Sequence, residues 1–176
     1  MIHLYHGEGK GKTTAAMGLA LRMAGRNRCV VIAQFLKGSD SGERAALSLI
    51  PQVTLLEIPQ SIKFSFQLSS QERLEEQARY QDLLEQLGTC CSPSTGLVVL
   101  DEVCDAVNAG LLPLEDLLSF LQTTRAEVVL TGRNPASQLV ELADYITCFE
   151  KQRHPFDKGC PARSGVEFSN FLCHFL

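Results

Sequence analysis

Residues 7–14 read Gly7-Glu8-Gly9-Lys10-Gly11-Lys12-Thr13-Thr14, between an apolar run at 2–5 and an alanine-rich run at 15–21. A strand, a glycine-rich turn and a helix in that order form a phosphate-binding loop, where backbone N–H groups and the positive helix end face an anion. In such a loop the lysine adds a charge on the phosphates, and the threonine hydroxyl sits on Mg²⁺. The usual spacing, Gly-x4-Gly-Lys-Ser/Thr, requires a glycine where this chain has His6. The stretch therefore predicts a nucleotide site with an unusual loop.

Length and charge predict one domain and exclude two classes of partner. A chain of 176 residues can bury roughly 70% of its unfolded surface in one core, so we expect a single domain over 1–176. The net charge of −4 gives no electrostatic reason to expect a nucleic acid or a membrane surface as partner. No apolar run approaches the ~20 residues of a membrane span.

The cysteines indicate a reducing compartment. There are 7 of them, an odd number, and none forms a Cys-x-x-Cys pair. This usage is typical of reduced thiols rather than of a disulfide framework. Together with the phosphate-binding loop, it predicts a cytoplasmic protein.

Apolar runs alternate with helical stretches along most of the chain. Near-continuous apolar runs are typical of parallel strands that are covered on both faces. Their alternation with helices implies right-handed crossovers. We therefore predict an α/β protein with a three-layer α/β/α architecture and a mostly parallel sheet, the P-loop NTPase (RecA-like) fold, with a less regular segment at 151–176. After the first strand, the predicted strands are 29–35, 53–58, 97–102, 127–131 and 145–149.

Three local patterns predict helix boundaries. Ser69 and Glu72 have the spacing of a capping box, which starts a long charged helix. Gly88 is a natural residue to follow the end of that helix. Asn134 and Pro135 have the order of an N-cap and first helical residue.

The stretch 60–70 is ambiguous. Phe64 and Phe66 alternate with polar residues, which fits an edge strand as well as a loop that presents two aromatic rings. Without further information, two phenylalanines in such a segment are expected to belong to the core.

Two carboxylates, Asp101 and Glu102, end the predicted strand at 97–102. A carboxylate at a strand tip near the phosphate-binding loop is what holds Mg²⁺ in this class of site. Glu102 is also placed to orient an attacking water in a hydrolase, whereas in a group transferase both carboxylates serve the metal. We favour metal binding for both.

Four further polar residues are candidates with an alternative structural role. Arg133, Lys37 and Lys10 can each contact the phosphate chain or form a salt bridge with a neighbouring element. His154 precedes a proline and is expected in an extended segment, where it either contacts substrate or packs in a turn.

At this point the motifs resemble those of a known family, the P-loop type of corrinoid adenosyltransferase. The resemblance covers nearly the whole chain in the same order, and the family's loop likewise lacks the first glycine of the usual spacing. The pieces that carry it are residues 7–16, Gln34-Phe35-Leu36-Lys37-Gly38, Val98-Val99-Leu100-Asp101-Glu102, Thr131-Gly132-Arg133-Asn134, His154-Pro155-Phe156 and Gly165-Val166-Glu167-Phe168.

The resemblance implies a reaction. A Co(I) corrinoid attacks the 5′ carbon of ATP, an adenosyl–cobalt bond forms, and inorganic triphosphate leaves. It further implies Mg²⁺ as cofactor, a reductase that donates the electron converting Co(II) to Co(I), and a homodimer.

The resemblance also implies roles for individual residues. Residues 7–14 with Lys37 and Arg133 bind ATP; Lys12, Arg133 and Glu102 act in catalysis; and Thr13 with Asp101 or Glu102 holds the metal. Phe64 and Phe66 match an aromatic pair that closes on the corrinoid and displaces its lower axial ligand, with Phe66 where tryptophan is frequent. His154 is assigned to the corrinoid side.

Two other functions compete with this one. A RecA-like switch or motor would hydrolyse ATP, with Glu102 orienting water. A nucleotide-dependent binding protein would carry a corrinoid without chemistry. The Gln34–Gly38 and Thr131–Asn134 motifs favour the transferase, because a general nucleotide hydrolase does not need them.

Overall fold

A computed structural model of the chain describes residues 1–38, 41–58, 68–161, 163 and 165–166. Within them, the strands are β1 Ile2–His6, β2 Cys29–Gln34, β3 Val53–Leu55, β4 Thr95–Asp101, β5 Glu127–Gly132 and β6 Tyr145–Cys148. They form one sheet in the order β3-β2-β4-β5-β1-β6, and every pairing in it is parallel. The parallel sheet predicted from the apolar runs is confirmed.

Helices connect the strands and cover both faces of the sheet. They are α1 Lys12–Ala24, α2 Gly42–Leu47, α3 Ser70–Cys90, α4 Val103–Asn108, α5 Leu114–Thr123 and α6 Ser137–Leu142, followed by a short 3-10 helix at Pro155–Lys158. One apolar cluster joins α1 and α2 to one face of the sheet, and a larger cluster joins α3, α4, α5 and α6 to the other. This is the predicted three-layer α/β/α architecture.

Strand β4 is the central element that positions the site. All seven of its residues are buried, and neighbours in the strand point alternately into the two clusters, Val98 into one and Val99 into the other. Its last residue, Asp101, reaches the C-terminal edge of the sheet. In open parallel sheets, ligands bind outside this edge. Strand β5 lies between β4 and β1, so the two predicted site elements are separated by one strand.

The long helix α3 begins as predicted and ends later. The Ser69 side chain accepts from the Glu72 N–H, and the Glu72 carboxylate accepts from the Ser69 N–H, which is a complete capping box. The prediction that Gly88 follows the helix is wrong, because α3 continues to Cys90. Leu87 is fully buried next to Gly88. Packing of that turn outweighs the low helix propensity of glycine.

Other boundaries also differ from the predictions. Helix α6 begins at Ser137 rather than at Pro135, and Asn134 adopts a left-handed backbone with φ 43°, which an extended N-cap does not. Strand β3 ends at Leu55 instead of residue 58. The last strand stops at Cys148, and all four of its residues are exposed because it forms the edge of the sheet.

Residues 59–67, which include Phe64 and Phe66, lie outside the described residues, so the choice between edge strand and loop stays a prediction. No helix among the described residues is both long and apolar enough to cross a membrane.

Candidate functional site

The glycine-rich turn after β1 has the shape of a phosphate-binding loop. Gly7 and Gly11 have φ of +109° and +117°, which side-chain-bearing residues rarely adopt. Gly9 donates its N–H to the carbonyl of Phe149 at 2.6 Å. A Cβ at Gly9 would lie 2.7 Å from that carbonyl, so a glycine is required there. The loop therefore rests directly on the backbone that follows β6.

His6 explains the unusual spacing of the loop. It is the last residue of β1, where it pairs with Gly132 of β5 and Cys148 of β6. The position that is normally the first loop glycine is thus a strand residue here. The turn proper begins one residue later, at Gly7.

Lys12, the first residue of α1, folds back over the loop. Its Nζ donates to the carbonyl oxygens of Gly7 at 2.6 Å and Gly9 at 3.1 Å. Burial and the nearby Arg133 charge lower the pKa of Lys12. The ammonium group is therefore held over the backbone of the glycine-rich turn.

Asp101 is fully buried and accepts four side-chain hydrogen bonds. Its Oδ1 accepts from Thr13 Oγ1 at 2.9 Å and from Thr131 Oγ1 at 2.7 Å. Its Oδ2 accepts from Lys37 Nζ at 2.6 Å and from Gln34 Nε2 at 3.1 Å. Burial works against the charge, but the Lys37 ammonium and these bonds outweigh it and lower the pKa of Asp101. This carboxylate stays ionised.

Lys37 lies among the residues that were predicted to bind the metal. Besides Asp101, its Nζ donates to Thr13 Oγ1 at 3.1 Å and lies 3.6 Å from Glu102 Oε1. It also lies 3.6 Å from Glu43 of α2. Burial of Lys37 opposes its charge, but the carboxylates around it prevail and raise its pKa. Lys37, which is predicted to contact phosphate, thus lies next to the three residues that are predicted to hold the metal.

Glu102 follows β4 in a left-handed conformation with φ 60°, and its N–H donates to Thr131 Oγ1 at 2.8 Å. Burial raises the pKa of Glu102 to about 7; Asp101 and Asp105 add to the shift, and Lys37 opposes it. The carboxyl group of Glu102 therefore titrates near neutral pH, whereas that of Asp101 stays ionised. A nearby dication would favour the ionised form.

Arg133 stands at the mouth of the cleft. Its Nε is 3.2 Å from Glu8 Oε2, and more than half of each side chain is exposed. Its backbone N–H donates to Asp105 at 3.0 Å, and Asn108 donates to its carbonyl at 2.8 Å. Two residues of α4 thereby fix the backbone of this tip, whereas the guanidinium group reaches over the loop.

Most of these residues line one cleft of about 1030 Å³ at the C-terminal edge of the sheet. Gly7 and Asp101 are not part of its lining, and Asp101 is fully buried. Phe64 and Phe66 lie outside the described residues. The predicted residues that line the cleft are Glu8, Gly9, Lys10, Gly11, Lys12, Thr13, Thr14, Lys37, Glu102, Arg133 and His154.

His154 has a local structural partner as well as a place in the cleft. Its Nδ1 accepts the N–H of Phe156 at 3.2 Å at the start of the 3-10 helix. With Nδ1 used as acceptor, a neutral ring carries its proton on Nε2. Phe156 is 67% exposed and lines the same cleft, as does Val166. The lining residues from 154 to 166, here called the apolar end of the cleft, thus contrast with the charged residues of the loop.

The oxygen donors of this site would suit a magnesium ion that is also held by phosphate oxygens. Among the described residues, no group of three or more His, Cys, Asp or Glu side chains is placed to hold a metal by itself. Mg²⁺ commonly takes only one or two protein oxygens and completes its shell with phosphate oxygens and waters. The Thr13 hydroxyl, the Glu102 carboxylate and the anionic Asp101 would meet that need, and the Lys37 ammonium is the cation that lies against all three in this structure.

Sequence reasoning missed several residues of this site. The motifs give Thr131 and Gln34 no role, yet both donate to Asp101. No pattern singles out Arg44 or Asp105, although they contact Gln34 and Arg133. Gln34 and Thr131 lie at the C-terminal ends of β2 and β5, so their position at the ligand-binding edge was an available signal.

Comparison with known proteins gives consistent matches. A family model described as ATP:corrinoid adenosyltransferase BtuR/CobO/CobP matches residues 1–168. A corrinoid adenosyltransferase of Pseudomonas aeruginosa is 32% identical over 172 residues, covering 96% of this chain and 83% of that protein. Corrinoid adenosyltransferases of Escherichia coli K12 and Salmonella typhimurium are each 32% identical over 177 residues, covering 96% of this chain and 85% of theirs. The family match includes every strand and helix described above.

Proposed function

The chain belongs to the ATP:corrinoid adenosyltransferase family, and from this we propose that its cleft binds ATP with the triphosphate on residues 7–14. The activity of the family is ATP-dependent adenosylation of corrinoids, a transfer of an alkyl group. In atoms and electrons, the Co(I) centre of the corrinoid substrate donates an electron pair to C5′ of ATP. The C5′–O bond breaks, and its electrons leave with the triphosphate.

One observation carries the assignment of the site. The hydroxyl of Thr13, in the loop, donates to Asp101 at the tip of β4 across 2.9 Å. This contact joins the phosphate cradle to a buried carboxylate whose charge is retained. The same pairing of a loop threonine with a strand-tip aspartate holds Mg²⁺ in nucleotide sites of this kind.

The loop end of the cleft suits a departing triphosphate. Negative charge grows on the leaving oxygen as the C5′–O bond breaks, so preorganised cations and N–H groups lower the barrier. Lys12, Lys10 and the N-terminal amides of α1 supply positive charge at the cradle. Arg133 reaches the same space from the opposite wall when it exchanges Glu8 for a phosphate oxygen.

Magnesium is the cofactor that we assign to this site. Thr13 and Glu102 would hold it, with Asp101 behind them and the phosphates completing its shell. When bound, the ion would neutralise charge on the leaving triphosphate. The strong nucleophile of the corrinoid needs no general base, so we give Glu102 a role in metal binding rather than in proton transfer.

The corrinoid is proposed to approach from the apolar end of the cleft. His154 lines this end, and Phe156 and Val166 provide exposed apolar surface for a macrocycle. Phe64 and Phe66 remain proposed corrinoid contacts on the strength of the sequence resemblance. The expected result for Phe66→Ala is slower adenosylation with unchanged ATP affinity; loss of ATP binding would instead assign Phe66 to the nucleotide.

The remaining proposals concern partners and compartment. Co(I) is generated by one-electron reduction of Co(II), so we propose a reductase as electron donor. We also propose a homodimer and a cytoplasmic location. Six cysteines of the described residues are free thiols, which supports a reducing compartment.

The function is tested by incubating the protein with ATP, Mg²⁺ and chemically reduced cobalamin. The expected product is a light-sensitive adenosylated corrinoid. Release of orthophosphate without this product would indicate a hydrolase. Corrinoid binding without either product would indicate a carrier.

A further inference from the structure

Helix α2 supports both donors that bind one oxygen of Asp101. Gln34 Nε2 and Lys37 Nζ donate to Asp101 Oδ2 at 3.1 and 2.6 Å. Two consecutive residues of α2 contact these donors: Arg44 donates to Gln34 Oε1 at 3.2 Å, and Glu43 lies 3.6 Å from Lys37 Nζ. Helix α2 is therefore linked to the carboxylate of Asp101 through the side chains of Gln34 and Lys37.

Arg44 determines which way the amide of Gln34 faces. A guanidinium group only donates hydrogen bonds, and an ionised carboxylate only accepts them. The Gln34 side chain lies between the two and is 1% exposed. Its oxygen must therefore face Arg44, and its NH₂ group must face Asp101. Without the guanidinium group, the amide would lose the partner that holds it in the donating orientation.

Arg44 also joins the ends of two neighbouring strands. Its second terminal nitrogen donates to the carbonyl of Leu56 at 2.8 Å, just after β3, while Gln34 is the last residue of β2. Leu56 is 5% exposed, so this anchor is part of the core. The guanidinium group is thus fixed at one side and directed at Gln34 on the other.

We propose that Arg44 is a positioning residue of the metal and phosphate site, which acts through Gln34 to keep Asp101 aimed at Thr13. The inference rests on the proposed function, because Asp101 and Thr13 hold a metal only there. Arg44 itself is not among the residues that line the cleft. Its effect is on how well the loop and the carboxylate together hold the dication.

Manganese binding to the protein–ATP complex, followed by electron paramagnetic resonance, tests this inference. Arg44→Met removes the donors and keeps an unbranched side chain. We expect it to weaken Mn²⁺ binding about tenfold, with metal-free ATP affinity changed less than twofold. Arg26→Met, on an exposed arginine after α1, is the matched control and should change neither quantity.

A double-mutant cycle tests the route through Gln34. If Arg44 acts through Gln34, Gln34→Met with Arg44→Met should bind Mn²⁺ as Gln34→Met does by itself. If the double variant instead weakened Mn²⁺ binding by the product of the two single factors, Arg44 would not act through Gln34. A wild-type Mn²⁺ affinity for Arg44→Met would overturn the inference. If Arg44→Met lost metal-free ATP affinity as strongly as Mn²⁺ affinity, together with thermal stability, Arg44 would have a merely structural role. That result would also overturn the inference.

Two further measurements keep the outcomes distinct. Should Arg44→Met fail to fold, Arg44→Lys, which keeps the charge but not both contacts, replaces it and should weaken Mn²⁺ binding by a smaller factor; an unchanged affinity would contradict the inference. Failure of the proposed function would appear in the wild-type protein as absence of adenosylated corrinoid. Failure of this inference would appear only in the variants.

Discussion

Thr13 and Asp101 are 88 positions apart in the chain, and their side chains meet at 2.9 Å through a hydrogen bond from hydroxyl to carboxylate. The contact exists because β1 and β4 are parallel strands of one sheet that end at the same edge. It couples the start of α1, where we propose that phosphate binds, to the buried charge. Each prediction below concerns a group that forms, supports or uses this contact.

Thr13→Ala is expected to weaken binding of Mg²⁺–ATP by about 10- to 100-fold. A hydrogen bond to a charged group contributes roughly 1.5–3 kcal/mol, and each 1.4 kcal/mol is about tenfold in affinity. Calorimetric titration with ATP in the presence and absence of Mg²⁺ measures the effect, and the metal-free affinity should change little. Thr13→Ser retains the hydroxyl and is the control. If Thr13→Ala and Thr13→Ser bound Mg²⁺–ATP with equal affinity, the hydroxyl would have no role in metal binding.

Lys12→Ala should lower kcat about 100-fold. Removing one charge that stabilises the transition state costs on the order of 3 kcal/mol. Steady-state adenosylation at saturating ATP measures this, with Lys151→Ala as control because Lys151 forms an exposed pair with Asp157. A kcat within twofold of wild type would exclude Lys12 from stabilising the leaving group.

Lys37→Met should destabilise the protein, and more at pH 8 than at pH 5. It leaves the carboxylate of Asp101 buried without its cation, a change that costs about 3–5 kcal/mol, or about 10 °C in Tm. In the wild type, Lys37 lowers the pKa of Asp101, so the pair stabilises the fold above the ordinary carboxyl pKa of 3.8. That contribution is lost as the pH falls through the lowered pKa.

The pH dependence of the stability of Lys37→Met follows from the same linkage between protonation and folding. Without Lys37, burial raises the pKa of Asp101, and its protonated form is favoured in the folded state. The Tm deficit of the variant should therefore shrink as the pH is lowered. Lys151→Met, which removes an exposed pair worth less than about 1 kcal/mol, is the control in the same thermal melts. A deficit that is the same at both pH values would contradict this account of Asp101.

Gly9→Ala should disrupt the loop, whereas Gly18→Ala should not. A Cβ at Gly9 meets the backbone of Phe149 at 2.7 Å, so the loop must move away from the end of β6. At Gly18 in α1, a Cβ meets nothing within 4 Å, and alanine should stabilise the helix by roughly 0.5–1 kcal/mol. Urea unfolding and ATP binding compare the two. Comparable stability for both variants would show that the loop tolerates a side chain at this position.

The sequence was sufficient to predict the sheet, because the apolar runs at 29–35 and 97–102 are too continuous for strands with a solvent face. It was also sufficient to predict the turn between β1 and α1 and the position of Asp101 at the end of β4, since both carry local patterns. It failed at Gly88, where burial of Leu87 decides the helix end, and at Asn134, where the tip of β5 requires a left-handed backbone. Tertiary structure determines both features, and it depends on residues that are far apart in the sequence.

That Gln34, Lys37 and Thr131 all bind Asp101 could not be predicted from the sequence, for a related reason. Gln34 and Lys37 come from the end of β2 and the loop after it, and Thr131 comes from β5, so their meeting depends on the strand order β2-β4-β5. Alternation of helices and strands predicts parallel pairing but leaves that order open. Arg44 carries no motif at all, and its role emerges from two hydrogen bonds that only the folded chain forms.

The central claim is that the phosphate-binding loop holds a triphosphate that leaves intact when C5′ is attacked. The most direct measurement uses ATP carrying ¹⁸O at the oxygen between C5′ and the α-phosphorus, with reduced cobalamin and the wild-type protein. Mass spectrometry of the products then locates the label. The account predicts all of the label in inorganic triphosphate, in amounts equal to the adenosylated corrinoid. Label retained on the nucleoside, or orthophosphate in place of triphosphate, would contradict it.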